Sequence, residues 1–213
     1  MKKKSFNDKL GLTQSVLDGS KTMMREIIKC PKNYNDFKAC QDVDGEYRFL
    51  LCNIFGFPED EILPKYKVGE VVAVAQSYKE LRDILAARGF KRTDDKFDKF
   101  YYAHVCDTDA GWNNKMLVKS DLMPHRIKIT GIKAERLQDI SDEDCLREGI
   151  SYRDDIATYN LYGAAVYFYR SNGEEKRFST SKEAFAAFIN EILGTNAWER
   201  NPYVFCYNFE LID

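Results

Sequence analysis

With 213 residues, 44% of them apolar, and a net charge of −2, the chain has material for one well-buried core and lacks the positive excess needed to coat nucleic acid by charge alone. No apolar run reaches membrane-spanning length, and the basic opening Met1-Lys2-Lys3-Lys4 leads into Ser5-Phe6-Asn7-Asp8-Lys9 rather than an apolar signal core; no membrane partner and a cytoplasmic location are expected. The six cysteines (Cys30, Cys40, Cys52, Cys106, Cys145, Cys206) form no C-x-x-C pair and the only histidines are His104 and His125, which points away from a disulfide frame, a metal centre or a bound cofactor.

Residues 13–18 predict a short helix that Gly19 ends by turning left-handed. Thr22-Met23-Met24 then start a strand, which holds Lys21 at a corner between two rigid elements. Residues 30–64 carry Pro31, Asn33, Asn35, Gly45, Gly56, Pro58 and Pro64 and predict an irregular insertion over one side of the core; within it, 47–57 alternates poorly and reads as a strand or a buried loop. Residues 71–77 predict a central strand, and 78–88 a helix with Leu81, Ile84 and Leu85 on one face, ended by Gly89. Residues 116–118 and 126–132 alternate like strands, with Ile127, Ile129 and Gly131 opposite Lys128 and Thr130. Ser141 with Asp144 resembles a capping box for a helix that ends at Gly149. Residues 166–170 and 176–180 flank Asn172-Gly173, a strong hairpin signal. Residues 181–193 predict an amphipathic helix capped by Ser181 and ended by Gly194, and 203–212 alternates as a closing strand. There is no internal repeat, so the reading is a single domain over 1–213 with insertions at about 30–64 and 151–180.

Five short blocks share an order with a known family. They are Ser5-Phe6-Asn7 through Gly11-Leu12-Thr13-Gln14 to Gly19-Ser20-Lys21-Thr22 and Arg25; Lys67-Val68-Gly69-Glu70 with the apolar run after it; Trp112-Asn113-Asn114-Lys115 through Lys119 to Met123-Pro124-His125-Arg126-Ile127; Glu135 through Asp144 with Glu148-Gly149-Ile150; and Ala184-Phe185 through Trp198-Glu199-Arg200-Asn201-Pro202-Tyr203. Together they resemble the ASCH-domain family of the PUA-like superfamily, most closely its longer bacterial and phage-associated members. The resemblance implies an α+β fold, a PUA-like β-barrel flanked by helices, carrying the two insertions. It also implies a cleft that faces RNA, nucleic acid or a nucleoside.

For binding, Lys21, Arg25, Trp112, Asn113, Asn114, Lys115, Lys119, His125 and Arg126 are the candidate residues, with Lys128 in the same basic stretch. A ring and amide groups suit a splayed base, and the cations suit phosphate. The bland alternative is a solvated strand face, with Trp112 capping the core. For catalysis, some ASCH proteins are amidohydrolases that remove the acyl group of acetylcytidine, and the resemblance assigns the catalytic lysine to Lys21 and the glutamate to Glu148. The family's threonine position is Met24, whose thioether can neither attack a carbonyl productively nor give up a proton. Thr22, one residue after Lys21, points the other way if the segment is extended. A structural ion pair between Lys21 and Glu148 is the inert alternative. A third class is protein interaction, with Tyr152, Tyr159, Tyr162, Tyr167 and Tyr169 forming an oligomer face.

Overall fold

The computed structural model describes residues 1–29, 36–41, 47–53, 55–87, 114–154 and 165–212. It is mixed α+β, built on a five-stranded sheet with two three-stranded sheets beside it. The strands are β1 (Lys3–Lys4), β2 (Met23–Ile27), β3 (Asp36–Gln41), β4 (Tyr47–Cys52), β5 (Pro58–Ile62), β6 (Val71–Val74), β7 (Arg126–Arg136), β8 (Ser151–Asp154), β9 (Ala165–Ser171), β10 (Glu174–Phe178) and β11 (Tyr203–Ile212). The helices are α1 (Leu12–Leu17), α2 (Tyr78–Ala87), α3 (Asp142–Arg147), α4 (Ser181–Leu193) and α5 (Ala197–Arg200).

The main sheet has the order β1-β6-β7-β11-β2, antiparallel except for the β1–β6 pair. The three strands predicted from residues 71–77, 126–132 and 203–212 are thus neighbours in one sheet. It is an open sheet: its edges β1 and β2 share no ladder among the described residues, so the expected closed barrel is not formed by backbone pairing. It is nevertheless strongly curled. Four inter-strand steps would hold the backbones of flat edges about 19 Å apart, farther than a lysine and a glutamate side chain reach together, yet Lys4 Nζ of β1 lies 2.5 Å from Glu26 Oε1 of β2. The main core spans both faces of the sheet; its concave side holds Met24, Val72, Val74, Ile127, Ile129, Tyr207 and Phe209.

Local chemistry moved several boundaries. The strand beginning at Val71 stops at Val74 because Ser77 and Glu80 cap α2 reciprocally: Glu80 Oε2 accepts from Ser77 N at 2.5 Å, and Ser77 Oγ accepts from Glu80 N at 3.3 Å. Residues 116–118 are not a strand. Lys115–Leu117 is a 3-10 turn whose start is fixed by Asn114 Oδ1 accepting from Met116 N, and Lys3 Nζ donates to the carbonyls of Met116 and Val118. β7 continues past Ile132 to Arg136, and a bulge beside Asn208 and Phe209 shifts the register. Gly131 therefore pairs with Asn208 and leaves the Ile127–Ile129 side where alternation had placed it. α4 is capped by Thr180 instead of Ser181, in a full capping box with Glu183. Asn172 and Gly173 both have positive φ (52° and 85°), the hairpin turn that their pairing predicted.

The expected irregular insertion at 30–64 contains an antiparallel meander, β3-β4-β5. Phe49 and Leu51 alternate inward, and the Phe49 ring meets Phe205 edge-on at 4.7 Å, seating this sheet on the core. The second meander, β8-β9-β10, packs on α4 through Tyr169, which contacts Phe178 and Phe188. Tyr169 is buried there and Tyr167 is partly buried, so neither belongs to an open aromatic face; Tyr159 and Tyr162 lie outside the described residues. No helix among the described residues is long and apolar enough to cross a membrane.

Candidate functional site

Three segments converge on the convex face of the main sheet. The first is the Lys21 corner, whose backbone is fixed on both sides: Lys21 N donates to Ser15 O at 2.8 Å and Thr22 N to Arg147 O at 3.0 Å. The second is a cross-strand row, Arg25 opposite Cys206 opposite Lys133. The third is α3, started by Ser141 Oγ accepting from Asp144 N, as its sequence predicted. Glu148 is the residue that ends α3, and Gly149 comes next with φ 112°. A side chain at Gly149 would be strained by that φ and would press Leu12 at 3.3 Å, so glycine is what lets the chain turn while Glu148 points at Lys21.

The result is a charge cluster, buried at Lys21, Arg25 and Glu148 and reaching solvent at Lys133. Lys21 Nζ donates to Glu148 Oε2 at 2.7 Å and to the Glu148 carbonyl at 2.5 Å. Arg25 donates to Glu148 Oε1 at 2.8 Å and to Glu135 Oε1 at 2.7 Å, with Asp144 Oδ2 at 3.5 Å. Lys133 Nζ bridges Asp144 at 2.7 Å and Glu135 at 3.0 Å. Three carboxylates thus balance three cations, with Arg147 at the rim beside Asp144, Thr22 and Asn208. Arg25 also lies over the Phe185 ring, 5.6 Å from its centroid. Lys21 is only 3% exposed and the Arg25 side chain is 0% exposed.

Burial sets the electrostatics. It pulls the Lys21 ammonium below its ordinary 10.5, against the opposing pull of Glu148. For Arg25 burial also disfavours the charge, but Glu148 and Glu135 outweigh it and the guanidinium is held charged. Burial would raise the Glu135 and Asp144 carboxyls; hydrogen bonds from Arg25 and Lys133 to Glu135, and from Lys133 to Asp144, leave both lowered. Burial pushes the Cys145 thiol up to about 11 and that of Cys206 higher still, so both stay protonated and unreactive. Chemically, the cluster holds α3 against β2, and an amine with lowered proton affinity touching a carboxylate is a proton-transfer pair once a substrate reaches it.

Of the residues singled out in the sequence, Lys21, Arg25 and Glu148 are brought together. Arg25 is enclosed by carboxylates, which removes it from an open ligand surface. Lys115 is likewise occupied, by Asp8 at 2.7 Å and by the Phe6 carbonyl at 2.6 Å. Asn114 caps the 3-10 turn. Lys119 and Arg126 are exposed and His125 is half-buried between them. Trp112 and Asn113 lie outside the described residues. Met24 is buried in the main core, on the opposite face of β2 from Arg25. Thr22 does not turn away from the cluster: its Oγ1 contacts Arg147 Nε at 3.3 Å. Glu135, Asp144 and Lys133 were missed as members. The signal available was period-two spacing, which sets Lys133 and Glu135 on one face of β7. The chain finds no match among protein-family models, curated proteins or solved structures.

Proposed function

We propose that the chain is an ASCH-type, PUA-like module that binds RNA or a nucleotide. The observation that carries this reading is the division into two sets of the cations of the Lys21 corner, residues 115–126 and β7. Lys21, Arg25, Lys115 and Lys133 are consumed by carboxylates. Lys119 and Arg126 are exposed and in no ion pair among the described residues; Lys128, also exposed, continues the strip two residues along β7, where it faces Glu210 across the ladder. Cations left open in an otherwise acidic chain suit phosphate contacts. The ASCH assignment draws support from the Lys21–Glu148 contact, since the resemblance alone pairs these distant positions and they meet at 2.7 Å. The barrel draws support from the Lys4–Glu26 bridge across the sheet's open seam.

The test is anisotropy titration of a labelled single-stranded RNA at low salt. Lys119→Ala with Arg126→Ala should weaken binding uniformly across sequences and flatten the salt dependence by about 0.7 log units per lost contact. Absence of binding by the natural chain, or binding untouched by the double substitution, refutes the reading.

A second reading, amidohydrolysis of an acylated nucleoside, is favoured by one observation: an amine of lowered proton affinity directly on a glutamate. It requires the cluster to open, because Lys21 is sealed from solvent. Release of cytidine from acetylcytidine, abolished by Lys21→Ala in a folded variant, would establish it.

A further inference from the structure

Exposed large apolar side chains gather in two places outside the charge cluster. The first is the end of the β4–β5 meander. Phe55 is 76% exposed and Phe57 67% there, and Leu63, 76% exposed, follows at the far end of β5. Hydrogen bonds hold the backbone at the two phenylalanines: Asn53 Oδ1 accepts from Phe55 N at 2.9 Å and Phe57 N at 3.1 Å, and Lys38 Nζ donates to the Gly56 carbonyl at 3.1 Å. Between Phe57 and Leu63 run Glu59, Asp60 and Glu61, all exposed and in no ion pair among the described residues. The second place is the 3-10 turn Lys115–Leu117 with the short segment leading from it to β7. Met116 and Leu117 are exposed there, with Lys119 two residues on and Arg126 opening β7.

The two surfaces are complementary in both respects. Each offers large apolar side chains beside charges mainly of one sign, and those signs are opposite: carboxylates outnumber Lys38 on the first surface, and Lys119 and Arg126 outnumber Asp121 on the second. We propose that the phenylalanine-and-carboxylate surface of one molecule docks on the methionine-, leucine- and cation-bearing surface of a second copy of this chain. The carboxylates disfavour a contact between two like surfaces, because Glu59 and Glu61, which share one face of β5, would meet their own copies. They disfavour anionic partners for the same reason. Strand addition at β5 is also disfavoured, since Asp60 Oδ1 occupies the Glu61 N–H at 2.8 Å. Docking is therefore by side chains: arginine and lysine heads on carboxylates, apolar groups on the phenyl rings. A contact between two different patches makes a two-fold pair in which each copy uses both patches, a closed ring or an open chain.

Sedimentation velocity across rising protein concentration tests this. The natural chain should associate at low salt and dissociate at high salt, saturating at a dimer or a small ring or growing into chains; each of these patterns supports the contact. Phe55→Ser with Phe57→Ser should weaken association about ten-fold or more without lowering the thermal midpoint, as both rings are in solvent. Glu59→Lys, Asp60→Lys and Glu61→Lys together, and separately Lys119→Glu with Arg126→Glu, should each leave a monomer. Mixing these two charge-reversed proteins should restore association, because each then carries the complement of the other. A natural chain that stays monomeric at every concentration overturns the proposal. So does association that survives all three sets of substitutions, which would place the contact elsewhere.

Discussion

Replacing Glu148 by glutamine keeps the shape of the side chain and removes the one carboxylate that touches both Lys21 and Arg25. Arg25 retains Glu135 at 2.7 Å and Asp144 at 3.5 Å, so its charge stays compensated. Lys21 does not; its remaining strong acceptor is the Glu148 carbonyl at 2.5 Å. Breaking a buried pair in this way costs about 3–5 kcal/mol. An upper bound comes independently from titration. The orphaned lysine escapes the penalty by losing its proton, and moving a group of ordinary pKa 10.5 to neutrality at pH 7 costs about 5 kcal/mol, at 1.36 kcal/mol per pH unit. The two figures agree, so Glu148→Gln should lose about 3–5 kcal/mol in urea unfolding at pH 7. The deficit should also shrink as pH rises towards 10, by up to about 1.4 kcal/mol per unit, because giving up the proton costs the folded variant less the nearer the pH comes to 10.5. Adding Lys21→Met to Glu148→Gln should recover part of the loss. A deficit under about 1 kcal/mol, or one that does not change with pH, would refute the claim that the cluster stores a buried charge pair.

Two further outcomes are expected. Glu135 and Asp144 have carboxyls held below their ordinary range in the folded chain, so their stabilisation is present above about pH 4 and is lost as pH falls through the lowered values; urea titrations should show stability declining on the acid side, and Glu135→Gln with Asp144→Asn should flatten that decline while lowering stability at pH 7. The natural chain should release cytidine from acetylcytidine poorly, and Met24→Thr should not repair it. That residue faces the core, so the substitution should cost about 2–4 kcal/mol in a denaturation assay and add no turnover; turnover gained by Met24→Thr would show that the site rearranges to use a hydroxyl there.

The sequence was informative wherever one short-range rule acts alone. The Asn172-Gly173 turn, the Ser141 cap and the helix at 181–193 arise from local backbone chemistry. It failed where a distant group decides. Residues 116–118 alternate like a strand, but Lys3 holds their carbonyls in a turn. The bulge that moves Gly131 across β7 is set by its pairing with β11, which periodicity along one strand does not contain. For the site, Lys21 and Glu148 were named through the family resemblance, while Glu135, Asp144 and Lys133 were not. Charges with this spacing on a strand usually face water, and only the placement of α3 over them makes them part of the cluster. Nothing in local pattern separates the consumed cations Lys115 and Lys133 from the open ones, Lys119 and Arg126.

The strand order has a consequence for how the molecule is made. β11, synthesised last among the described strands, lies inside the main sheet between β7 and β2, and Ile27 is laddered to Val204 across almost the whole length of the chain. Loop closure over such a span must precede the contacts that repay it, so the sheet is a slow, high-contact-order element. During translation β2 emerges early and waits with Met23 and Met24 uncovered, while the β3-β4-β5 meander, whose pairings are sequence-local, can form as soon as it clears the ribosome. A ribosome stalled before residue 203 would therefore carry a chain with two sequence-local meanders and an incomplete main sheet, the species on which a holding chaperone would act.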